Sequence, residues 1–498
     1  MRSLFSTVVA PERLHPAQCW KDPLLWSSWL LAAFYLFINL GTGSLSIWDE
    51  SVYARVSQEI MKNDNWIVPH MDGHHWLEKP PLYMWFTAGL YHVFGFSEFT
   101  TRFTSAFLGA NTVALLYIMG RSLFNRTAGF VAALTLLATP HYFHFSKQGM
   151  LDVSLTFFIA LMVYFFWLGI EKRKYLFLSG TIFLFAYLVK GHAAFMGLAI
   201  LLLFALWSRN EKMFLDKSFV CGLGLSIAII IIFHLMQISH TGAVFFKSFI
   251  DTHILKRTFS TLDYHQGGMD FYFHAIKNKG KPWSVMALIS LLYTVFAAFK
   301  PRHNAEKLIV SWVMAVFICT MVVKTKLHWY ILPIYPAMAL SLGLAVSAIA
   351  RKKNYWKVVI VILLLLGLLL QVKLSKYFNL DFNSSRKEGV EVAKSLLHGG
   401  EFVYAYKLDF DGKVYAEGHI VELLQANKHS DALGNGPIYV LTDVNQLDEL
   451  KKKYDVDSKV FFQKEKTVIL RFEKALPKVI PSWNEKSDEE AHFTSGIK

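Results

Sequence analysis

Acidic and basic residues collect beside long apolar runs at four places in the chain. Ile47-Trp48-Asp49-Glu50-Ser51-Val52-Tyr53 follows the first run, and Met150-Leu151-Asp152-Val153 opens the fourth. Glu78-Lys79-Pro80-Pro81 lies between them, and Lys324-Thr325-Lys326-Leu327-His328-Trp329-Tyr330 leads into Ile331-Leu332-Pro333. A carboxylate at a helix start caps free N–H groups and complements the dipole, which accounts for either acid taken singly. Asp49 and Asp152 at one membrane face are harder to explain that way, because a carboxylate at the bilayer edge is expensive without a partner or a task. The prolines after Lys79 fix its place just before a helix. It is either a snorkelling lysine under any lipid phosphate or a cation set on one particular phosphate. His253 and Arg257 share a face at helical spacing, which suits phosphate or metal and equally a solvated interfacial helix. Trp329 reads as a member of an aromatic belt.

The elements that must position these residues are membrane spans. Of the 498 residues 54% are hydrophobic and only 18% charged. A soluble globular domain runs nearer about 25% charged, so that class is excluded, as is a disordered chain. Eleven uncharged runs stand at 24–41, 103–119, 127–146, 153–170, 175–189, 191–207, 218–238, 282–299, 308–323, 329–350 and 358–372. Several fall short of the ~20 residues that cross the hydrocarbon, so their ends extend into flanking polar residues. The first has no A-x-A site after it and is read as a retained helix. The net charge of +14 fits loops facing anionic headgroups better than nucleic acid. Cys19, Cys221 and Cys319 are too few for a disulfide framework or a cysteine-rich metal site.

A twelfth apolar stretch, 81–97, decides orientation. With it lying in the interface, loops 121–126, 171–174, 208–217, 300–307 and 351–357 share one side and carry 2, 3, 3, 3 and 4 basic residues. The opposite short loops carry 1, 1 and 2, so the first set is assigned to the cytoplasm. Segments 42–102 and 239–281 and the tail then face outward. The tail alternates strand-like runs at 402–406, 438–441 and 467–472 with helical patterns at 387–397 and 444–454, which predicts a small α/β domain over 376–498 after a membrane domain over 1–375. There is no Walker A, dinucleotide or H-E-x-x-H motif. Midplane charges are absent from 153–170, 282–299 and 308–323, so an energy-coupled pump or ion-coupled carrier is unsupported.

Trp48-Asp49-Glu50-Ser51-x-Tyr53, Glu78-Lys79-Pro80-Pro81, Asp152 at a helix start and Lys326-x-x-Trp329-Tyr330-Ile331-Leu332-Pro333 together resemble the bacterial aminoarabinose transferase family. These are polytopic C-type-fold glycosyltransferases related to protein O-mannosyltransferases, with polyprenyl-phosphate sugars as donors. The resemblance covers about residues 24–350 and implies a multi-pass inner-membrane enzyme whose site and tail face the periplasm. It implies catalytic roles for Asp49 and Asp152, and donor-phosphate contacts from Lys79, Arg257 and Tyr330. Glu50, Tyr53, Lys326 and His328 become substrate-cavity candidates, and Glu78 and His253 candidates for a divalent metal ion. Eleven spans against the thirteen of the aminoarabinose enzymes is a departure, and the tail has no acceptor signature.

The expected chemistry is a single inverting displacement. A polyprenyl phosphate leaves readily once cations neutralise the charge growing on its oxygen. An acceptor hydroxyl needs a general base, which suits Asp49. With an already ionised lipid A phosphate as acceptor, Asp49 would instead orient the sugar. The acceptor is expected to be lipid A or another envelope component. One alternative is an O-mannosyltransferase-like enzyme acting on Ser or Thr, and another is a transporter or flippase for a lipid-linked substrate.

Overall fold

The computed structural model describes residues 20–249, 251, 267–268, 270–301, 303–350, 384–399, 401–407, 414–416, 420–422, 437–454 and 458–472. Its first helix, α1 (Pro23–Phe37), begins with proline at the first turn and an Asp22 cap that accepts from the Leu24 N–H at 3.1 Å. Then come α2 (Asp49–Asn63), a short hairpin of β1 (His70–Met71) and β2 (His74–His75), and α3 (Leu82–Phe94). The helices α4 (Glu98–Leu123), α5 (Arg126–Ala138), α6 (Pro140–Ser146), α7 (Leu151–Leu168), α8 (Lys174–Lys190), α9 (Phe195–Trp207) and α10 (Lys217–Thr241) follow. The membrane part ends with α11 (Phe271–Lys279), α12 (Trp283–Ala298), α13 (Asn304–Val322), a 3-10 segment at His328–Ile334, and α14 (Tyr335–Ala350).

Helices stand at ten of the eleven apolar runs, and 358–372 lies outside the described residues. Among the described residues six helical stretches are long and apolar enough to cross a membrane, and the pair α11 and α12, bent by 119°, would make a seventh. Part of the difference is that 175–189 and 191–207 fall in one helical stretch, Lys174–Trp207, and that α1 and α5 are short. Pro140 pushes Thr139 into extended geometry and divides the run 127–146 into α5 and α6. Gly191, at φ +52°, divides 174–207. A side chain there would be strained by the positive φ, although its Cβ would meet the Pro80 ring only in an ordinary 3.5 Å contact. Helix α3 has 13 residues, about 20 Å against the ~30 Å of hydrocarbon.

In the tail, α15 (Ser384–His398), β3 (Phe402–Ala405), β4 (Val421–Glu422), β5 (Ile438–Asp443), α16 (Leu447–Tyr454), β6 (Ser458–Lys464) and β7 (Thr467–Phe472) form a mixed sheet ordered β4-β3-β5-β7-β6. Strand β3 is parallel to β4 and β5, and β7 is antiparallel to β5 and β6. Alternate residues of β5 and β7 enter two apolar clusters, Leu441 and Ile469 in one and Val440 and Leu470 in the other.

Candidate functional site

The turn before α3, the start of α7, the break between α8 and α9 and the end of α13 enclose a cavity of about 280 Å³. Glu78, Lys79, Asp152, Lys190, His192 and Tyr330 are its polar lining, and Leu155, Phe195, Met196, Phe249 and Val323 are among its apolar walls. Lys190 Nζ donates to Asp152 Oδ1 at 2.5 Å and sits 4.8 Å over the Tyr330 ring. Their side chains are 8% and 2% exposed, so each charge depends on the other for compensation. Asp152 Oδ2 is buried with no hydrogen-bond partner among the described residues. Lys79 stands 3.9 Å from Glu78, a looser contact. Asp49 and Lys79 both lie close enough to act electrostatically on Asp152.

Neither catalytic candidate caps its helix. Trp48 and Met150 occupy the cap positions of α2 and α7, and no side-chain cap bond is made at either. Asp49 begins α2 half-buried, outside the cavity lining. Lys79 is carried on a segment braced to the same helix, because Glu59 accepts the Asp72 N–H at 2.6 Å and Arg55 donates to Asp72 at 3.1 Å.

Several cavity candidates stand elsewhere. Glu50 is fully buried, where its Oε1 accepts Arg102 Nε at 2.8 Å and the Gly149 N–H at 2.9 Å, and its Oε2 accepts the Ser46 N–H at 2.8 Å. Arg102 in turn donates to the carbonyls of Leu40, Thr42 and Ser44 at 2.9–3.1 Å. The pair therefore ties the loop before Asp49 to α4 and to the start of α7. Tyr53 packs between Trp76 and Tyr83, with ring centroids 6.3 Å from each. Lys326 caps the C-terminal end of α13 by donating to the Thr320, Met321 and Val323 carbonyls at 2.5–3.0 Å. His328 Nδ1 lies 3.0 Å from His141 Nε2, and His141 Nδ1 lies 2.8 Å from the Tyr335 hydroxyl. His253 and Arg257 lie outside the described residues. Among the described residues no three His, Cys, Asp or Glu side chains are grouped to hold a metal ion.

Neither Lys190 nor Arg102 is a site candidate in the sequence. The signal for Lys190 was a lone cation, followed by glycine, between two apolar runs. For Arg102 it was a cation four residues after Glu98, at the head of an uncharged run.

Residues 78–236 match the family described as dolichyl-phosphate-mannose-protein mannosyltransferase. An undecaprenyl phosphate-alpha-4-amino-4-deoxy-L-arabinose arabinosyl transferase of Pseudomonas fluorescens is 28% identical over 66% of this chain and 60% of its own length. That of Yersinia enterocolitica is 26% identical over 65% of this chain and 60% of its length. The structure of ArnT from Cupriavidus metallidurans bound to undecaprenyl phosphate superposes with a TM-score of 0.73, covering 90% of this chain and 98% of that one at 16% identity. The chain is similar to the aminoarabinose transferases. The archaeal oligosaccharyltransferase AglB from Archaeoglobus fulgidus is more distant, with a TM-score of 0.52 at 12% identity over 87% of this chain and 71% of that one. Those two likenesses concern the fold. The matched stretch spans about 60% of the curated arabinosyl transferases' length.

Proposed function

We propose that the chain is an inverting integral-membrane glycosyltransferase that moves a sugar, aminoarabinose or a related one, from a polyprenyl phosphate to a lipid A-type or other envelope acceptor. The observation that carries this reading is the cavity. Cations and a carboxylate pair meet there beside apolar walls, the chemistry a charged phosphate on a greasy chain requires. Lys79, with Arg257, holds the carrier phosphate, and Tyr330 lines its seat. As the bond from the anomeric carbon to the phosphate oxygen breaks, its electron pair leaves with the phosphate, where Lys79 neutralises the charge. The acceptor oxygen attacks from the opposite face, and Asp49 takes its proton when that acceptor is a hydroxyl. Asp152, held by Lys190, offers Oδ2 to the sugar.

In this reading the chain crosses the bacterial inner membrane eleven times with 81–97 in the interface. Segments 42–102 and 239–281 and the tail from about residue 376 face the periplasm. A divalent metal ion would draw on Glu78 and His253. No step above is routed through it.

The testing experiment is mass spectrometry of envelope lipids and proteins from cells with and without the gene. Loss of a sugar from lipid A or another glycolipid supports the proposal. Loss from protein Ser or Thr would move the acceptor to protein, and no loss of any glycan would favour a transporter.

A further inference from the structure

The tail grips the loop that leads into Asp49. Leu45 and Ala54, on either side of that acid, are buried in one apolar cluster with the tail residues Val390, Tyr415 and Leu441. The Tyr415 hydroxyl accepts the Leu45 N–H at 2.7 Å and donates to Glu98 Oε1 at 3.2 Å. Lys387 fixes that carboxylate from the tail side, with Nζ 2.5 Å from the same oxygen and 5.5 Å over the Tyr415 ring. Arg102, one turn after Glu98, donates to the Ser44 carbonyl at 2.9 Å. The Ser44–Leu45 peptide unit is thus held by its C=O from α4 and by its N–H from the tail. Burial, and then the Glu98 carboxylate, push the pKa of Tyr415 well up, so the hydroxyl stays protonated and can donate.

We propose that Tyr415 is a positioning residue for sugar transfer: through the Ser44–Leu45 peptide it sets the start of α2, and so the place of the Asp49 carboxylate against Asp152. This rests on the role given to Asp49 above. Substrate is not touched by Tyr415. Its effect on chemistry passes through a single backbone hydrogen bond 370 residues away in sequence.

The test uses full-length purified protein and Tyr415→Phe, which keeps the ring in its apolar seat and removes the hydroxyl. Amide exchange across residues 44–50 should quicken by about tenfold, the scale of one lost hydrogen bond. The kcat for transfer from a polyprenyl-phosphate sugar should fall several-fold while KM for that donor stays unchanged. Lys387→Met, which removes the tail's ion pair to the Glu98 carboxylate that Tyr415 also contacts, should act in the same direction if Tyr415→Phe fails to fold. Lys464→Met, which removes a pairing with Glu388 inside the tail, should leave kcat unchanged. An unchanged kcat in Tyr415→Phe, or an equal fall in Lys464→Met, would overturn this proposal alone. A wild-type protein that transfers no sugar overturns both this and the transferase reading.

Discussion

Asp152 and Lys190 form a 2.5 Å ion pair across the cavity wall, joining the first turn of α7 to the last residue of α8. With both side chains more than nine-tenths buried, removing one partner strands the other. Lys190→Met should therefore cost about 3–5 kcal/mol. Asp152→Asn should also destabilise. The double variant Lys190→Met with Asp152→Asn should recover most of the loss, because no buried charge is left uncompensated. Thermal unfolding in detergent measures all three, and strictly additive losses would show that the two groups are not paired.

Arg102 should tolerate no conservative replacement. Its guanidinium reaches Glu50 and three loop carbonyls at once, and a lysine has neither the fork nor the number of donors in those directions. Arg102→Lys should lower stability by ~2–4 kcal/mol. It should also reduce sugar transfer by about a hundredfold through displacement of Asp49, while the protein remains folded at low temperature. Wild-type turnover in Arg102→Lys would show that the loop does not position the acid.

Asp22 supports the fold at the other end of α4. It accepts from Tyr117, Arg121 and Arg126, and Tyr117 and Arg121 lie roughly 25 Å along α4 from Arg102. Burial pushes the Asp22 carboxyl up, but the Arg126 and Tyr117 hydrogen bonds outweigh it and hold the pKa below the usual aspartate range. A lowered folded-state pKa means that this stabilisation is present at neutral pH and is lost as pH falls through that lowered value. Asn caps a helix about as well as Asp, so Asp22→Asn isolates the charge and should cost ~1–3 kcal/mol at neutral pH. The deficit should shrink in strong acid, and turnover at low temperature should be unchanged. Melting temperatures of both proteins across pH check the sign.

The local pattern of the fold could be read from the chain, and its long-range contacts could not. Apolar runs with caps or prolines beside them announce helices such as α1 and α5, and strand-like runs in the tail stand where β3, β5 and β7 form. Strand β6 lacks the alternation of a half-buried strand, since Val460, Phe461 and Phe462 run together and the strand is mostly exposed. Lys79, Asp152 and Tyr330 could be singled out because each ends or begins an apolar run, where a charge or a tyrosine is conspicuous. Their grouping on one cavity depends on how the helices pack. Lys190 stands in the sequence as a lone cation between two apolar runs, and only the packing of α7 beside it supplies its partner Asp152. Glu50 reads in the sequence as a substrate-cavity candidate, and only Arg102, 52 residues on, shows what neutralises it. Tyr415 carries no local signal, since its partner on the loop is 370 residues distant.

The role of Lys79 on the carrier and of Asp49 on the transferred sugar is tested most directly by measuring donor binding and turnover separately in purified Lys79→Ala and Asp49→Asn, with a polyprenyl-phosphate sugar as substrate. Lys79→Ala should weaken donor binding, with Lys79→Arg restoring it only in part, because a planar fork replaces a compact ammonium. Asp49→Asn should bind donor nearly as the wild type does while transfer falls by about two orders of magnitude or more. Full turnover by Asp49→Asn, with donor binding unaffected by Lys79→Ala, would contradict the account.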